Sequence, residues 1–349
     1  MTPKPSKRPH SLIPWTLAAV AVAYTMALAQ APSTPPASTG APALARADTS
    51  SPVSPQPITP TPAPSSPNSG IRNKLSANDL LSAESILEVH RSKHGEDGAY
   101  LSGLAWLARG ALLVGDGEKA DRYAAEVRAR CADSLAHGTD LSKSENVELA
   151  LGAALEVTAQ RLERTKGRRA AAAFVRAELA RLNGPVAFRS RLNKRLNMLT
   201  LAGTRAPELV IEDFVGAPPP TLASLRGRPV LLFIWAEYCG DCRMQAASLS
   251  RIHSRYVEKG LQIIALTRYY ETDVAKRPRE KARVDSVWTA DYRELEKVPI
   301  VLSAASGERY GGSSTPTFVF IDRTGIVRRY TPTRLTEAEF ERTLTVLLR

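Results

Sequence analysis

Two cysteines separated by two residues are the side chains of this sequence best suited to chemistry. Cys239 and Cys242 follow an apolar run, 230–235, that is typical of a buried strand. A helical pattern comes next, with apolar residues at Leu249, Ile252 and Tyr256. At a strand-to-helix junction, free amide groups and the helix dipole stabilise a thiolate. The pair therefore predicts thiol–disulfide exchange, in which the first cysteine attacks and the second, one turn into the helix, resolves the mixed disulfide.

Zinc binding is the main alternative for such a pair, because two cysteines at this spacing can form half of a zinc site. A second ligand pair would be needed, and neither Cys131 nor the scattered histidines supply one. His90 and His94 are four residues apart, but no further ligand set accompanies them, which favours an ordinary helix end. Cys131 is interpreted as a packed thiol, with a role as a third redox participant as the alternative. No metal site is predicted.

The N-terminus has the features of an export signal. Lys4, Lys7 and Arg8 precede an apolar stretch, 12–29, which ends in small residues before Gln30. The stretch is also just long enough to span a bilayer, so residues 1–29 are predicted to be a cleaved signal peptide or a retained membrane anchor. In both cases the rest of the chain would lie outside the cytoplasm, in a periplasmic or similar compartment.

Composition divides the rest of the 349 residues into a linker, a helical domain and a third part, 201–349. Residues 30–70 are rich in Pro, Ser, Thr and Ala and are predicted to be a disordered linker. Residues 71–200 show helical periodicity and are predicted to be an all-α domain of helical hairpins. One segment there, LAWLARGALLVGDGEKADRYAAEV, resembles a tetratricopeptide unit. Its small positions would be Ala108, Ala111, Ala120 and Ala124, on either side of a turn at Gly115-Asp116.

The net charge of +12 is spread along the chain, so no domain is a strongly charged block. One cluster, 161–195, holds eleven Lys and Arg residues against Glu163 and Glu178. A solvated helix face is the simplest interpretation, with contact to anionic lipid or an acidic partner as the alternative. Export argues against nucleic acid as a partner.

The segment WAEYCGDC, 235–242, is similar to the active-site stretch of thioredoxins. Residues 201–349 are predicted to be a thioredoxin-like domain. Within it, 204–349 resemble the exported TlpA/ResA-like branch of that family, which implies an α/β fold with a mixed central sheet flanked by helices. The resemblance implies a hairpin and a short helix in the lead-in, a strand at 261–267 and a helical crossover at 279–297. It further implies a strand at 318–321, a turn at 322–325, an edge strand at 326–330 and a closing helix at 336–348. It also assigns to Pro316, with Thr315 before it, the cis-proline that faces the two cysteines and pairs with substrate backbone.

Several positions depart from the family pattern. Phe233 stands where many thioredoxins have a buried acid, and Ala247 replaces a helix-kinking proline. Gln245 stands where many relatives of this branch have a glutamate. The nearest acidic substitutes are Glu237 and Asp241. Together with Gly240, these two residues are the candidates for tuning the redox pair.

The sequence thus predicts an extracytoplasmic protein-disulfide reductase whose only redox group is the Cys239–Cys242 disulfide, with no organic cofactor. Asp241 beside Cys239 should disfavour the thiolate and make the pair reducing. By resemblance, the partners would be disulfide-bearing proteins and a membrane thiol donor. Four residues are expected to shape the surface around the sulfur or to hold the substrate: Trp235, Tyr238, Thr315 and Pro316.

Three alternatives remain open. The pair could act as a disulfide oxidant or isomerase, which only a reduction potential distinguishes from a reductase. The protein could instead be an adaptor whose helical domain binds a partner protein. A thiol peroxidase is the weakest alternative, because it would not need two cysteines at this spacing.

Overall fold

The computed structural model describes residues 66–348. The predicted signal or anchor, 1–29, lies outside the described residues, as does the predicted linker up to residue 65. Within 66–348, none of the helices combines the length and the apolar character needed to span a bilayer.

Six helices form the N-terminal part of the described chain. They are α1 (Asn68–Ser76), α2 (Leu80–His94), α3 (Gly98–Leu113), α4 (Gly117–Ala136), α5 (Glu145–Arg181) and α6 (Val186–Thr200). Helix α1 begins three residues before the predicted start of the helical domain, so the end of the predicted linker is helical. Helix α5 is interrupted at Gly167, whose φ of 84° and ψ of 170° do not fit a helix.

The segment that resembles a tetratricopeptide unit forms a helical hairpin from α3 and α4. Its four small positions are almost fully buried, which lets the two helices approach closely: Ala108, Ala111, Ala120 and Ala124. Gly115 has a φ of 84° at the end of α3, and Asp116 caps α4 by accepting a hydrogen bond from the backbone N–H of Lys119. The hairpin is present; its relation to tetratricopeptide repeats stays a prediction.

The C-terminal part is a six-stranded mixed sheet of order β1-β4-β3-β2-β5-β6. Its strands are β1 (Asp213–Val215), β2 (Val230–Ile234), β3 (Gln262–Thr267), β4 (Ile300–Leu302), β5 (Thr317–Ile321) and β6 (Val327–Thr331). Its helices are α7 (Gly240–Arg243), α8 (Ala246–Tyr256), α9 (Arg277–Asp291), α10 (Ala304–Arg309) and α11 (Glu337–Leu347). Strand β2 is central, parallel to β3 and antiparallel to β5. Its residues alternate between two apolar cores, with Leu231 and Phe233 facing one and Leu232 and Ile234 facing the other.

The lead-in to the sheet differs from the expected hairpin and short helix. Between residues 205 and 229, the structure has a single three-residue strand, β1, followed by turns. β1 pairs antiparallel with β4 and not with a neighbour in sequence. Three consecutive prolines, 218–220, lack the N–H groups that a second hairpin strand would have to donate. Neither β4 nor α10 was predicted.

The helical part and the sheet-containing part pack together along α6. Arg189 on α6 pairs with Glu308 on α10, with 2.7 Å between Nε and Oε1. Asn197 on α6 donates a hydrogen bond to the carbonyl of Arg309 at 3.0 Å. The two parts belong to one compact unit of the chain.

Candidate redox site

Cys239 and Cys242 form a disulfide at the junction of β2 and α7, with 5.2 Å between their Cα atoms. The Sγ of Cys239 caps α7 by accepting a hydrogen bond from the backbone N–H of Cys242 at 3.1 Å. Cys239 is 8% exposed and Cys242 is fully buried, so of the two cysteines only Cys239 is accessible to solvent. Gly240, the first residue of α7, is exposed, and a Cβ there would have no neighbour within 4 Å. The surface beside the outer sulfur is therefore open.

The helical segment that begins at the disulfide is interrupted after one turn. α7 ends at Arg243 and α8 begins at Ala246, although the family's proline is replaced by Ala247. Gln245 lies in this break and is buried. Its Nε2 donates to the carbonyl of Leu335 at 3.0 Å, and its Oε1 accepts from the backbone N–H of Leu335 at 2.6 Å. An ionised glutamate could accept but not donate there, so the amide suits this two-way contact.

Phe233 and Trp235 belong to an aromatic cluster beneath the disulfide. The ring of Phe233 stacks on that of Phe318 at 5.3 Å, and the ring of Trp235 lies 5.0 Å from that of Trp288. Trp235 is only 1% exposed. The predicted role of Trp235 at the surface is therefore wrong, because the rings of Phe233, Trp288 and Tyr292 enclose it. Phe233, in the place of the family's acid, contributes apolar packing.

The peptide bond between Thr315 and Pro316 is cis, in accordance with the role carried over by resemblance. β5 begins at the next residue, Thr317, which pairs with Ile234 at the end of β2. This register brings Thr315 and Pro316 to the edge of the sheet from which the cysteine segment departs. Pro316 is buried and Thr315 is half-buried.

Tyr238 is the exposed aromatic residue next to Cys239, with 62% of its surface accessible. Its ring meets that of Tyr270 edge-on at 5.0 Å, and the guanidinium of Arg268 lies 4.4 Å from the Tyr270 ring. Partial burial raises the pKa of the Tyr238 phenol above its ordinary value. Sequence reasoning missed Tyr270 and Arg268. The available signal was their position directly after β3, whose carboxyl end lies beside that of the parallel strand β2.

The two acidic candidates for redox tuning each face an arginine. Glu237 is buried and pairs with Arg283, with 3.1 Å between Oε1 and Nη2. The other oxygen of Glu237, Oε2, has no hydrogen-bond partner among the described residues. Asp241 lies 3.7 Å from Arg334, measured between Oδ1 and Nε. Negative charge is thus present on both sides of Cys239 in the sequence, partly balanced by arginine.

The remaining cysteine and the histidine pair take no part in this site. Cys131 is fully buried within the helical part, and burial raises the pKa of its thiol to about 12. The Nε2 of His90 lies 2.9 Å from Oδ1 of Asp97, and its ring lies 4.8 Å from that of His94. No cluster of three or more His, Cys, Asp or Glu side chains suitable for a metal occurs within 66–348.

Comparison with known proteins agrees with this geometry. Residues 201–347 match the Redoxin family. The thiol-disulfide oxidoreductase ResA of Bacillus thuringiensis (strain Al Hakam) is 36% identical over 73 residues, which are 21% of this chain and 41% of that protein. ResA of Bacillus thuringiensis subsp. konkukian (strain 97-27) is 30% identical over 125 residues, 36% of this chain and 66% of that protein. The thiol:disulfide interchange protein DsbE of Pseudomonas fluorescens biotype C is 29% identical over 128 residues, 37% of this chain and 65% of that protein.

A solved structure, a putative DsbE from Chlorobium tepidum, aligns with 42% of this chain and 98% of its own, at 20% identity and a TM-score of 0.34. The chain spans less than half the length of the ResA from strain Al Hakam and about two thirds of the other two curated relatives. The predicted fold is confirmed: a thioredoxin-like α/β domain with a mixed sheet follows an all-α N-terminal part.

Proposed function

We propose that this protein is a thiol–disulfide oxidoreductase that reduces disulfides of other proteins outside the cytoplasm. The observation that carries the proposal is the difference in exposure between the two cysteines, since Cys239 is 8% exposed and Cys242 is fully buried. This is the arrangement that exchange requires, since one sulfur must meet the substrate and the other must be held within reach of the first. The resemblance to ResA and DsbE supports the same chemistry.

In the proposed reaction, the reduced protein begins with Cys239 as thiolate and Cys242 as thiol. Cys239 attacks one sulfur of the substrate disulfide, and the other substrate sulfur leaves as a thiolate that takes up a proton. Cys242 then loses its proton and attacks Cys239, which releases the second substrate thiol. Two electrons pass to the substrate, and the protein ends in the Cys239–Cys242 disulfide seen in the structure. Thr315 and Pro316 would hold the substrate backbone beside the sulfur, and Tyr238 would contact its side chains.

The reducing direction is supported by the acidic residues around Cys239. Asp241 lies between the cysteines and Glu237 is buried two residues before them, and both carboxylates disfavour a thiolate relative to a disulfide. We expect a reduction potential nearer to about −270 mV than to about −120 mV. Arg283 and Arg334 pair with these carboxylates and oppose their effect, which favours an oxidant.

Equilibration with dithiothreitol or glutathione measures the reduction potential and so distinguishes the reductase from the oxidant. A potential above roughly −180 mV would select the oxidant.

We also propose where the protein acts and which kind of protein supplies its electrons. The N-terminal 29 residues would export the chain and either be cleaved or remain as an anchor. A reductase in that compartment needs a source of two electrons, and we propose a membrane protein with a thiol pair as the donor. Identification of a mature N-terminus at Gln30 would exclude the anchor, whereas membrane association that survives high salt would support it.

The central experiment traps the mixed disulfide. With Cys242→Ser the attacking sulfur remains but the resolving sulfur is gone, so disulfide-linked partners should accumulate and should disappear on reduction. Cys239→Ser should trap few partners, because the remaining sulfur is fully buried. Both variants are made in a Cys131→Ser background as well, to exclude that thiol. Equal trapping by the two variants, or linkage through Cys131, would show that the assigned roles are wrong.

A further inference from the structure

Helix α6 of the helical part contacts the segment that carries Thr315 and Pro316. We call residues 311–316 the proline loop. Gly311, at its start, has a φ of 69°, and a Cβ there would lie 2.4 Å from the backbone N and Cα of Lys194 on α6. A side chain at position 311 would therefore collide with backbone, so glycine is needed for α6 to pack this closely.

Lys194 also reaches the other end of the same loop. Its Nζ donates a hydrogen bond to Oγ of Ser314 at 3.3 Å, one residue before Thr315. The carbonyl of Ser314 accepts a hydrogen bond from the hydroxyl of Thr317 at 2.7 Å. The segment just before the cis-proline is thus held from the sheet by Thr317 and from the helical part by Lys194.

The ammonium group of Lys194 is itself fixed by a buried carboxylate. Oε1 of Glu156 on α5 lies 2.9 Å from Nζ of Lys194, and Oε2 lies 2.8 Å from Nη2 of Arg109 on α3. The side chains of Glu156 and Lys194 are 10% and 15% exposed. A long side chain that is enclosed and paired in this way holds one position, whereas an exposed lysine samples many.

We propose that Lys194 is a positioning residue for substrate binding, through which the helical part of the chain sets the position of the proline loop. This inference rests on the proposed function and narrows the substrate class to disulfides within polypeptides. A polypeptide must align its backbone along the proline loop, whereas a small disulfide needs only access to Cys239. Lys194 should therefore matter for protein substrates and not for small disulfides.

The test compares two disulfides of different size as oxidants of the reduced protein. Insulin serves as the protein disulfide and 5,5′-dithiobis(2-nitrobenzoic acid) as the small one. We expect Lys194→Met and Ser314→Ala each to raise the half-saturating insulin concentration about five-fold, as the loss of one ordinary hydrogen bond predicts. The rate with the small disulfide and the reduction potential should not change. The double variant should add little to either single change, because both remove the same contact.

Arg189→Met is the matched control, because it removes an ion pair between α6 and α10 without touching the proline loop. An equal loss of insulin binding in this control would overturn the inference in favour of general packing between the two parts. Unchanged insulin kinetics in Lys194→Met and Ser314→Ala would also overturn it. Lys194→Met leaves Glu156 with one partner fewer; if that variant does not fold, Ser314→Ala decides, since it leaves no buried charge unpaired.

Amide hydrogen exchange keeps this inference separable from the proposed function. The amides of the proline loop should exchange faster in Ser314→Ala and at the wild-type rate in Arg189→Met. If the wild type does not reduce insulin, the proposed function fails while the exchange rates still decide the role of Lys194. Equal exchange in all three proteins would refute that role.

Discussion

Replacement of the buried carboxylate of Glu156 by an amide should lower the free energy of unfolding by an amount that depends on pH. Burial by itself would raise the pKa of Glu156, but the charges of Lys194 and Arg109 outweigh it and lower the pKa from 4.5 to about 2. The folded state therefore holds the ionised form more strongly than the unfolded chain does. Since a tenfold change in proton affinity corresponds to about 1.4 kcal/mol, the ionised carboxylate contributes about 3 kcal/mol.

The sign follows from the lowered pKa. The contribution is fully present above the unfolded value of 4.5 and is lost as the pH falls through about 2. About half of it should be gone at pH 3. Because glutamine imitates the protonated carboxyl, Glu156→Gln should be less stable than the wild type by about 3 kcal/mol at pH 7 and nearly equal to it at pH 2.

Urea denaturation of the oxidised protein, followed by circular dichroism at pH 7, 5, 3 and 2, measures this difference directly. Asp121→Asn is the control, because Asp121 is 52% exposed and its ion pair with Arg161 should contribute at most about 1 kcal/mol. A difference between wild type and Glu156→Gln that stays constant from pH 7 to pH 2 would refute the reasoning, since it would show that the loss does not come from the ionised carboxylate.

Two further predictions concern the cysteines and their neighbours. In the reduced native protein at neutral pH, iodoacetamide should modify Cys239 and leave Cys131 unmodified. Burial raises the pKa of Cys131 from 9.0 to about 12 and so lowers its thiolate fraction about a thousand-fold. Peptide mass mapping identifies the modified cysteine, and rapid labelling of Cys131 in the native protein would contradict the prediction. Asp241→Asn should raise the reduction potential by about 10–30 mV, because it removes a charge that opposes the thiolate, while Arg334→Ala should lower it. No change in either variant would show that solvent screens the Asp241–Arg334 pair.

Local patterns in the sequence predicted much of the sheet and the position of the two cysteines beside it. The run at 230–235 became β2, since a continuous apolar run of this length suits a strand covered on both faces. Thr336 and Glu339 form a capping box that starts α11 at the predicted closing helix. In each case neighbouring residues carry the signal, because hydrogen bonds within a turn or burial of one strand depend on residues a few positions apart.

Pairs of residues far apart in the chain decided the rest. Trp235 lies four residues before Cys239 and is predicted at the surface, but Trp288 on α9 and Tyr292 directly after α9 enclose it. Gln245 looked like the loss of an acid, yet it bonds to Leu335, 90 residues away. The contact between Lys194 and Ser314 spans 120 residues and joins the two parts of the chain. The sequence by itself predicted the cysteine pair and the elements on which it lies, because those signals come from neighbouring residues. The tertiary structure alone decided what surrounds and positions the two cysteines, because packing between distant segments leaves no periodic signal.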